Sequence, residues 1–336
     1  MTSATATTKK RGLEEDTSGL LFEKYFDELE EYGYTVIENV VPADVCAKSF
    51  AGIIRFMNEA GVKTADPALN MHSYPNSHGI IQHFEAGQMQ PIWDIRMRNE
   101  VTTVFEELYG DNDLLVSFDG FCWMPKHYSY NGRQWLHADQ SHQRLGLRCI
   151  QGYVNLLTSH DARSGSLAAV PKSHKKHSEY AAKNPEATKN PKDWHKYTEE
   201  ELAEFGDVVR VHGGVGSLVL WDSRTAHSAI QPLPGTADTR ERCVVYVCYQ
   251  PRALIKPFAL KRKVGAFDNY RMTTHWPASR VEQFSDKPWT RGKPYSMRTP
   301  ARTRVESPRM LELAGKTPLT TRQRKLGKPA LQFVKQ

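Results

Sequence analysis

The 336-residue sequence predicts a mainly β fold with flanking helices, an antiparallel sandwich or barrel and not a parallel α/β sheet. Three observations carry this. Short apolar or alternating runs crowd into residues 114–250, separated by Gly, Pro, Asn and Ser clusters. No helical pattern alternates with them, as a parallel sheet would need. Outside a polar insertion at 173–205, helical spacing is confined to residues before about 110 and after Pro251.

Taken in order, Leu13, Leu20, Leu21, Tyr25, Phe26 and Leu29 recur at three- and four-residue spacing and predict a helix over 13–32. Gly33 turns the chain into a β-branched strand ending at Val41. Pro42 opens a second helix through Asn58, with Val45, Phe50, Ile53, Ile54 and Met57 on its buried face and Gly61 as its stop. Residues 63–89 read as irregular, and a third helix over 91–109 ends at Gly110. Strands follow at 114–123, 148–157, 166–170, 207–211, 217–221 and 242–250. Residues 173–205 form a polar insertion with helical fragments, and His174-Lys175-Lys176-His177 reads as a solvated face. His212-Gly213-Gly214-Val215-Gly216 lacks the Lys-Ser/Thr of a phosphate loop and reads as a hairpin turn. Arg271 to Pro277 reads as a packed helix end in preference to a pocket lid, while His78, Gln82 and His83 fit a pocket wall or a plain loop equally.

The expected organisation is a disordered start (1–12), one main domain (13–285) with a helical part to about 110 and a β core over about 114–250, and a C-terminal extension (286–336). That extension carries thirteen Lys/Arg against three Asp/Glu, a local charge of +10 against +7 for the whole chain, so the remaining body is near −3. Such a tail can meet nucleic acid or an acidic partner. A solvated extension, or a wrap across the protein's own acidic surface, is the preferred reading.

No stretch reaches the roughly 18 apolar residues of a membrane span. The first twelve residues lack the apolar core of a secretory signal. The five cysteines, Cys46, Cys122, Cys149, Cys243 and Cys248, are spread apart without a Cys-x-x-Cys pair. Most sit in apolar runs, where a thiol acts as a small hydrophobe. A reducing, cytoplasmic setting is therefore expected, without structural zinc or disulfides.

The chemistry lies in a split pattern: Trp135-Leu136-His137-Ala138-Asp139-Gln140, then Trp221-Asp222-Ser223-Arg224-Thr225-Ala226-His227. His137 and Asp139 are two apart, so a strand would present both on one face. Two imidazoles and one carboxylate make the facial triad, which holds Fe(II) and leaves positions open for a 2-oxo acid and dioxygen. His137, Asp139 and His227 are thus the candidate metal and catalytic residues. Arg242 opens an apolar strand, where a guanidinium is costly to bury unless an anion meets it. Its fork suits a carboxylate such as the distal end of 2-oxoglutarate. Arg240 could serve instead, and Arg242 is preferred because it lies further into the strand.

On these residues the sequence resembles the phytanoyl-CoA dioxygenase-like family of Fe(II)/2-oxoglutarate-dependent oxygenases. Four stretches carry the likeness in order: Gly33 to Pro42, Trp135 to Gln140, Ser164 to Lys175, and Gly216 to Ser228. The resemblance implies a double-stranded β-helix (jelly roll, cupin-like) with Fe(II) on His137, Asp139 and His227. It places the 2-oxoglutarate arginine on Arg242 and a cosubstrate-lining aromatic near Tyr153. The family's Ser two residues beyond the distal His is Ala229 here, with Ser228 adjacent as the cosubstrate candidate. Its Pro-Gly-Ser-His turn reads Pro171-Lys172-Ser173-His174. Related halogenases replace the carboxylate with a small residue, so Asp139 implies hydroxylation.

The implied reaction couples hydroxylation of a small organic molecule to conversion of 2-oxoglutarate and O2 to succinate and CO2, with ascorbate as a candidate reductant. Gln140, Trp135 and Trp221 are candidates for orienting the ligands. The competing readings are an oxygenase acting on nucleic acid or a protein side chain, suggested only by the basic tail, and a non-catalytic jelly-roll binding module. A zinc hydrolase would need a general base beside the metal.

Overall fold

The computed structural model describes residues 18–66, 78–126, 135–233, 235–284, 289–290, 293–294 and 297–334, so the disorder expected for residues 1–12 lies outside the described residues. Helix α1 (Ser18–Tyr32) buries Phe26 and Leu29 and delivers the chain into strand β1 (Tyr34–Ile37). Helix α2 (Ala43–Glu59) places Cys46, Ile53, Phe56 and Met57 in the core. Strand β2 (Ile80–Ile81) interrupts the stretch expected to be irregular.

The single helix expected over 91–109 is two helices, α3 (Gln90–Arg96) and α4 (Asn99–Tyr109), broken where Arg98 takes an extended backbone. The break lets fully buried Arg96 turn inward and donate to the main-chain carbonyls of Gly87 at 2.6 Å and of Asp119. The run 114–123 is likewise two strands, β3 (Leu114–Val116) and β4 (Phe121–Met124). Gly120 sits in the bend between them, where a Cβ would lie 1.7 Å from the Ile81 carbonyl oxygen.

Strands β5 (His137–Ala138), β6 (Ile150–Asn155) and β7 (Ser166–Ala169) follow. The insertion holds helix α5 (Ser173–Lys183), strand β8 (His195–Lys196) and helix α6 (Glu199–Ala203), the last with a Thr198–Glu201 capping box. Strands β9 (Val209–Val211), β10 (Leu218–Asp222), β11 (His227–Ile230), β12 (Arg242–Val247) and β13 (Tyr249–Pro251) complete the core, and helix α7 (Pro257–Asp268) covers it.

Two antiparallel sheets result, one in the order β1-β10-β6-β12-β4-β2 and one in the order β8-β5-β11-β7-β9, while β13 pairs with β3. Over β4–β7 and again over β9–β12 consecutive strands switch sheets, which is the double-stranded β-helix arrangement. The glycine turn at 212–216 is one such switch, since β9 and β10 belong to different sheets; it is not a hairpin. Among the described residues, no helix is long and apolar enough to cross a membrane.

The C-terminal residues pack onto the body. Short strands β14 (Trp289–Thr290) and β15 (Lys293–Pro294) pair, and helix α8 (Pro308–Ala314) buries Met310, Leu313 and Ala314 completely. Arg322 reaches Glu106 of α4, Arg324 reaches Asp111, Lys316 reaches Asp268 and Arg302 reaches Glu85. The basic tail thus lies along the body's acidic groups.

Helix α5 does not present a solvated histidine face. His174 and His177, three apart, point inward, while Lys175 and Lys176 stay outside. His177 stacks on His142 with ring centres 4.3 Å apart, in a second small core with Leu136, Tyr180, Tyr197 and Phe205. Burial pushes His142 down to about 3 and His177 down to about 4. Both fold as neutral rings, so the stability they contribute is intact above the unfolded value near 6.5 and drains as pH falls toward the folded values. By pH 5 the loss is on the order of 2 kcal/mol per ring. Thermal melts between pH 7.5 and 5 check this, and the slope should shrink in His177→Gln.

Candidate metal centre

The candidate site lies between the sheets. Strands β5 and β11 are neighbours, and their register sets His227 directly opposite His137. His137 Nδ1 faces the Trp135 carbonyl at 3.0 Å, and His227 Nδ1 faces the Thr225 carbonyl at 2.9 Å. A carbonyl can only accept, so both Nδ1 atoms carry the proton and both Nε2 lone pairs are free to bind metal. Each Nε2 lies 3.5 Å from a different oxygen of Asp139. The three ligand atoms fall within 4.8 Å of one another, an arrangement that could hold a metal ion.

Electrostatics favours the binding forms. Burial pushes His227 down, helped by His137, and so keeps it neutral. Burial raises Asp139, but the imidazoles of His137, His227 and His275, cationic donors whenever they are protonated, outweigh it and hold the carboxylate well below its usual range, while metal would take the place of those protons. Two nitrogens and one carboxylate of this kind fit Fe(II).

Of the expected orienting residues, Trp135 stacks on the His137 ring at 4.5 Å and 18°, and Trp221 lies 5.2 Å from His227. Gln140 does something else. Its amide donates to the Gly146 carbonyl at 2.8 Å and accepts from Ser223 Oγ at 2.9 Å, bracing the loop instead of a ligand. The direct partner of Asp139 is Gln151 on β6, whose Nε2 donates to Oδ2 at 3.3 Å. Gln151→Leu is therefore expected to weaken Fe(II) binding about 10- to 100-fold, the usual effect of losing such a partner. An anaerobic Fe(II) titration reads it.

A cavity of about 350 Å³ holds the triad together with Gln82, Asp119, Gln151, Tyr153, Arg242 and His275. Arg242 is 1% exposed, its guanidinium sits 5.2 Å from the Tyr153 ring, and Nη1 lies 3.1 Å from Cys122 Sγ. Among the described residues its Nε has no partner. A buried cation with an open donor, beside a metal-ligand set, fits an incoming carboxylate such as that of 2-oxoglutarate. Arg240 is elsewhere, half-exposed and 3.8 Å from Asp161.

Ser228 is not part of the cavity. It is fully buried but points to the opposite face, paired in register with Ala168 of the second small core. Strand alternation decides this, because side chains next to an inward His227 must face outward. The pocket-facing neighbour is Ala229.

Sequence reasoning missed Gln151, Asp119 and His275. Gln151 shares strand parity with Tyr153 in an apolar run, a signal that could have been read. His275 arrives from the segment expected to be a packed helix end, with Nδ1 4.0 Å from Asp139 Oδ2. Of the three residues left open between wall and loop, Gln82 lines this cavity, His83 lines a neighbouring one, and His78 stacks on Trp135 at 4.0 Å.

Known proteins resemble the chain in sequence and in fold. Ava biosynthesis cluster protein O of Aspergillus versicolor is 28% identical over 212 residues, 60% of this chain and 67% of that protein. The crystal structure of GlcNAc Inducible Gene 2 from Candida albicans shares the fold, with a TM-score of 0.52 at 15% identity over 73% of this chain and 66% of that one. The epimerase SnoN, solved with Fe3+, alpha ketoglutarate and nogalamycin RO, gives a TM-score of 0.47 at 14% identity over 70% of this chain and 85% of that one. The phytanoyl-CoA dioxygenase (PhyH) family model matches residues 29–231, more than half of the sequence. The chain belongs to the phytanoyl-CoA dioxygenase family of Fe(II)- and 2-oxoglutarate-dependent oxygenases.

Proposed function

We propose that the protein hydroxylates a small organic molecule, with His137, Asp139 and His227 holding Fe(II), and Arg242 with Tyr153 receiving the distal carboxylate of 2-oxoglutarate. The observation that carries this is the convergence of two Nε2 atoms on the two oxygens of one buried carboxylate, at 3.5 Å each. When bound, iron supplies the activation of dioxygen that is coupled to decarboxylation of 2-oxoglutarate to succinate and CO2. The protein's own part is to fix both imidazole tautomers through main-chain carbonyls, to keep Asp139 ionised, and to exclude water with Trp135, Trp221 and Leu167.

A small-molecule substrate is supported by the size of the cavity and by the biosynthetic-cluster name of the Aspergillus relative. A second chamber of about 640 Å³ shares Phe284 with the first and gives a larger molecule room to extend. Phe84, Glu85 and Tyr270, all lining that chamber, hold left-handed backbones at φ 58°, 64° and 55°. Strain of this kind concentrates at ligand sites. The tail arginines Arg302, Arg309, Arg322 and Arg324 each meet a carboxylate of the body, which weighs against a nucleic-acid substrate. The five free, buried cysteines fit a reducing cytoplasmic setting.

The test is succinate release from 2-oxoglutarate under air with added Fe(II), across a panel of small molecules, with Asp139→Ala as control. The reading predicts Fe(II)-dependent succinate that a panel member stimulates and the variant lacks. Succinate release that persists in the variant, or none in the wild type, would overturn it.

A further inference from the structure

The cavity wall carries one charge that the proposed chemistry does not use. Asp119 lies in the bend before β4, is 6% exposed and lines the cavity together with the triad. Its Oδ1 accepts from the Gly120 amide at 2.8 Å and from Gln82 Nε2 at 3.0 Å. Among the described residues Oδ2 has no hydrogen bond and the carboxylate has no ion pair. The nearby cation, Arg96, donates to main-chain carbonyls, including that of Asp119 itself, and not to the carboxylate. The other carboxylate of the wall, Asp193, is paired with Arg144 and Arg280.

A buried carboxylate without a direct ion pair is costly unless a ligand completes it. Neither iron nor 2-oxoglutarate can do so. The charges of Fe(II) and Arg242 are matched by Asp139 and the 2-oxoglutarate dianion, and the buried Arg96, whose charge acts on Asp119, spends its donors on main-chain carbonyls, so Oδ2 still lacks a direct cationic partner when the proposed cofactors are in place. Two further polar atoms of the same cavity wall, Thr274 Oγ1 and His275 Nε2, are buried without partners among the described residues.

From this placement, and resting on the oxygenase reading above, we infer that Asp119 selects the substrate: a compact molecule bearing a protonated amine, whose ammonium binds Oδ2 while the carbon to be oxidised faces the metal. Gln82 and the Gly120 amide hold the carboxylate in position and Thr274 and His275 supply further polar contacts. Burial raises the carboxyl's pKa in the free protein, the direction expected of a group that awaits a cation.

The experiment uses full-length protein loaded with Fe(II) and 2-oxoglutarate. The probes are arylalkylamines of increasing length, benzylamine to 4-phenylbutylamine, each paired with its N-acetyl amide. Binding is read anaerobically by thermal shift in the wild type, Asp119→Asn and Asp119→Ser. Asn keeps the shape and the Oδ1 acceptor but removes the charge, and Ser guards against an effect of the new amide donors. At least one amine should bind the wild type about tenfold or more tighter than its amide, the scale of one charge-assisted hydrogen bond, and both variants should erase that preference.

Equal binding of amine and amide, no amine binding, or a preference that survives in both variants would overturn the proposal. Succinate release without added substrate is measured in the wild type and in His137→Ala. Its absence from the wild type both without substrate and across the small-molecule panel marks failure of the oxygenase reading, whereas the Asp119 proposal can fail with that release intact.

Discussion

Asp139→Ala is expected to abolish Fe(II)-dependent succinate formation and to lower Fe(II) affinity by more than about 100-fold, beyond the upper end for losing a mere orienting partner. The carboxylate is the only anionic member of the triad, and both Nε2 atoms are placed by reference to it. Without it two imidazoles remain, 4.5 Å apart between ring centres, with no charge to offset the metal. Stability should behave differently from activity. The paired carboxylate contributes at neutral pH because its folded pKa is depressed, but its burial opposes that gain, so the metal-free variant should melt within a few degrees of wild type. The Fe(II)-induced rise in melting temperature should vanish. An isothermal Fe(II) titration beside melts with and without metal separates the two effects, and a variant that still binds Fe(II) as wild type does would remove Asp139 from the ligand set.

Much of this site was legible because its chemistry is written in local patterns. A strand's two-residue period puts His137 and Asp139 on one face, and an arginine opening an apolar strand announces an anion. The same period, applied one step further, would have excluded Ser228, which alternates away from His227. Asp119 and His275 were not legible, since their approach depends on which loops the two sheets bring together over more than a hundred residues. The break between α3 and α4 was hidden for a related reason: Arg98 and Arg96 are good helix formers, and what overrides them is the set of main-chain carbonyls waiting for Arg96 in the core. The tail's sign of charge was plain, but its acidic counterparts lie on α4 (Glu106), in the loop after it (Asp111), before α3 (Glu85) and at the end of α7 (Asp268), which composition does not place.

Arg242→Met should separate cosubstrate binding from metal binding. Removing one partner of a buried charge pair costs about 2–5 kcal/mol, so the KM for 2-oxoglutarate should rise about 30-fold or more while Fe(II) affinity stays near wild type. The argument rests on where Arg242 stands: fully buried on β12, over the Tyr153 ring, with Nε unpartnered among the described residues and Nη1 against a thiol, a weak acceptor. Such a guanidinium lowers the stability of the free protein, because its desolvation is not repaid by an anion. Methionine fills much of the same volume without the charge, so the substitution should leave the melting temperature of the free protein unchanged or raise it. In wild type, 2-oxoglutarate should add stability as any ligand of the native state does, and this increment should be lost in Arg242→Met. Arg240→Met is the matched control, because its side chain is half-exposed beside Asp161 and outside the cavity. A wild-type KM in Arg242→Met, or an equal rise in Arg240→Met, would move the cosubstrate carboxylate away from β12.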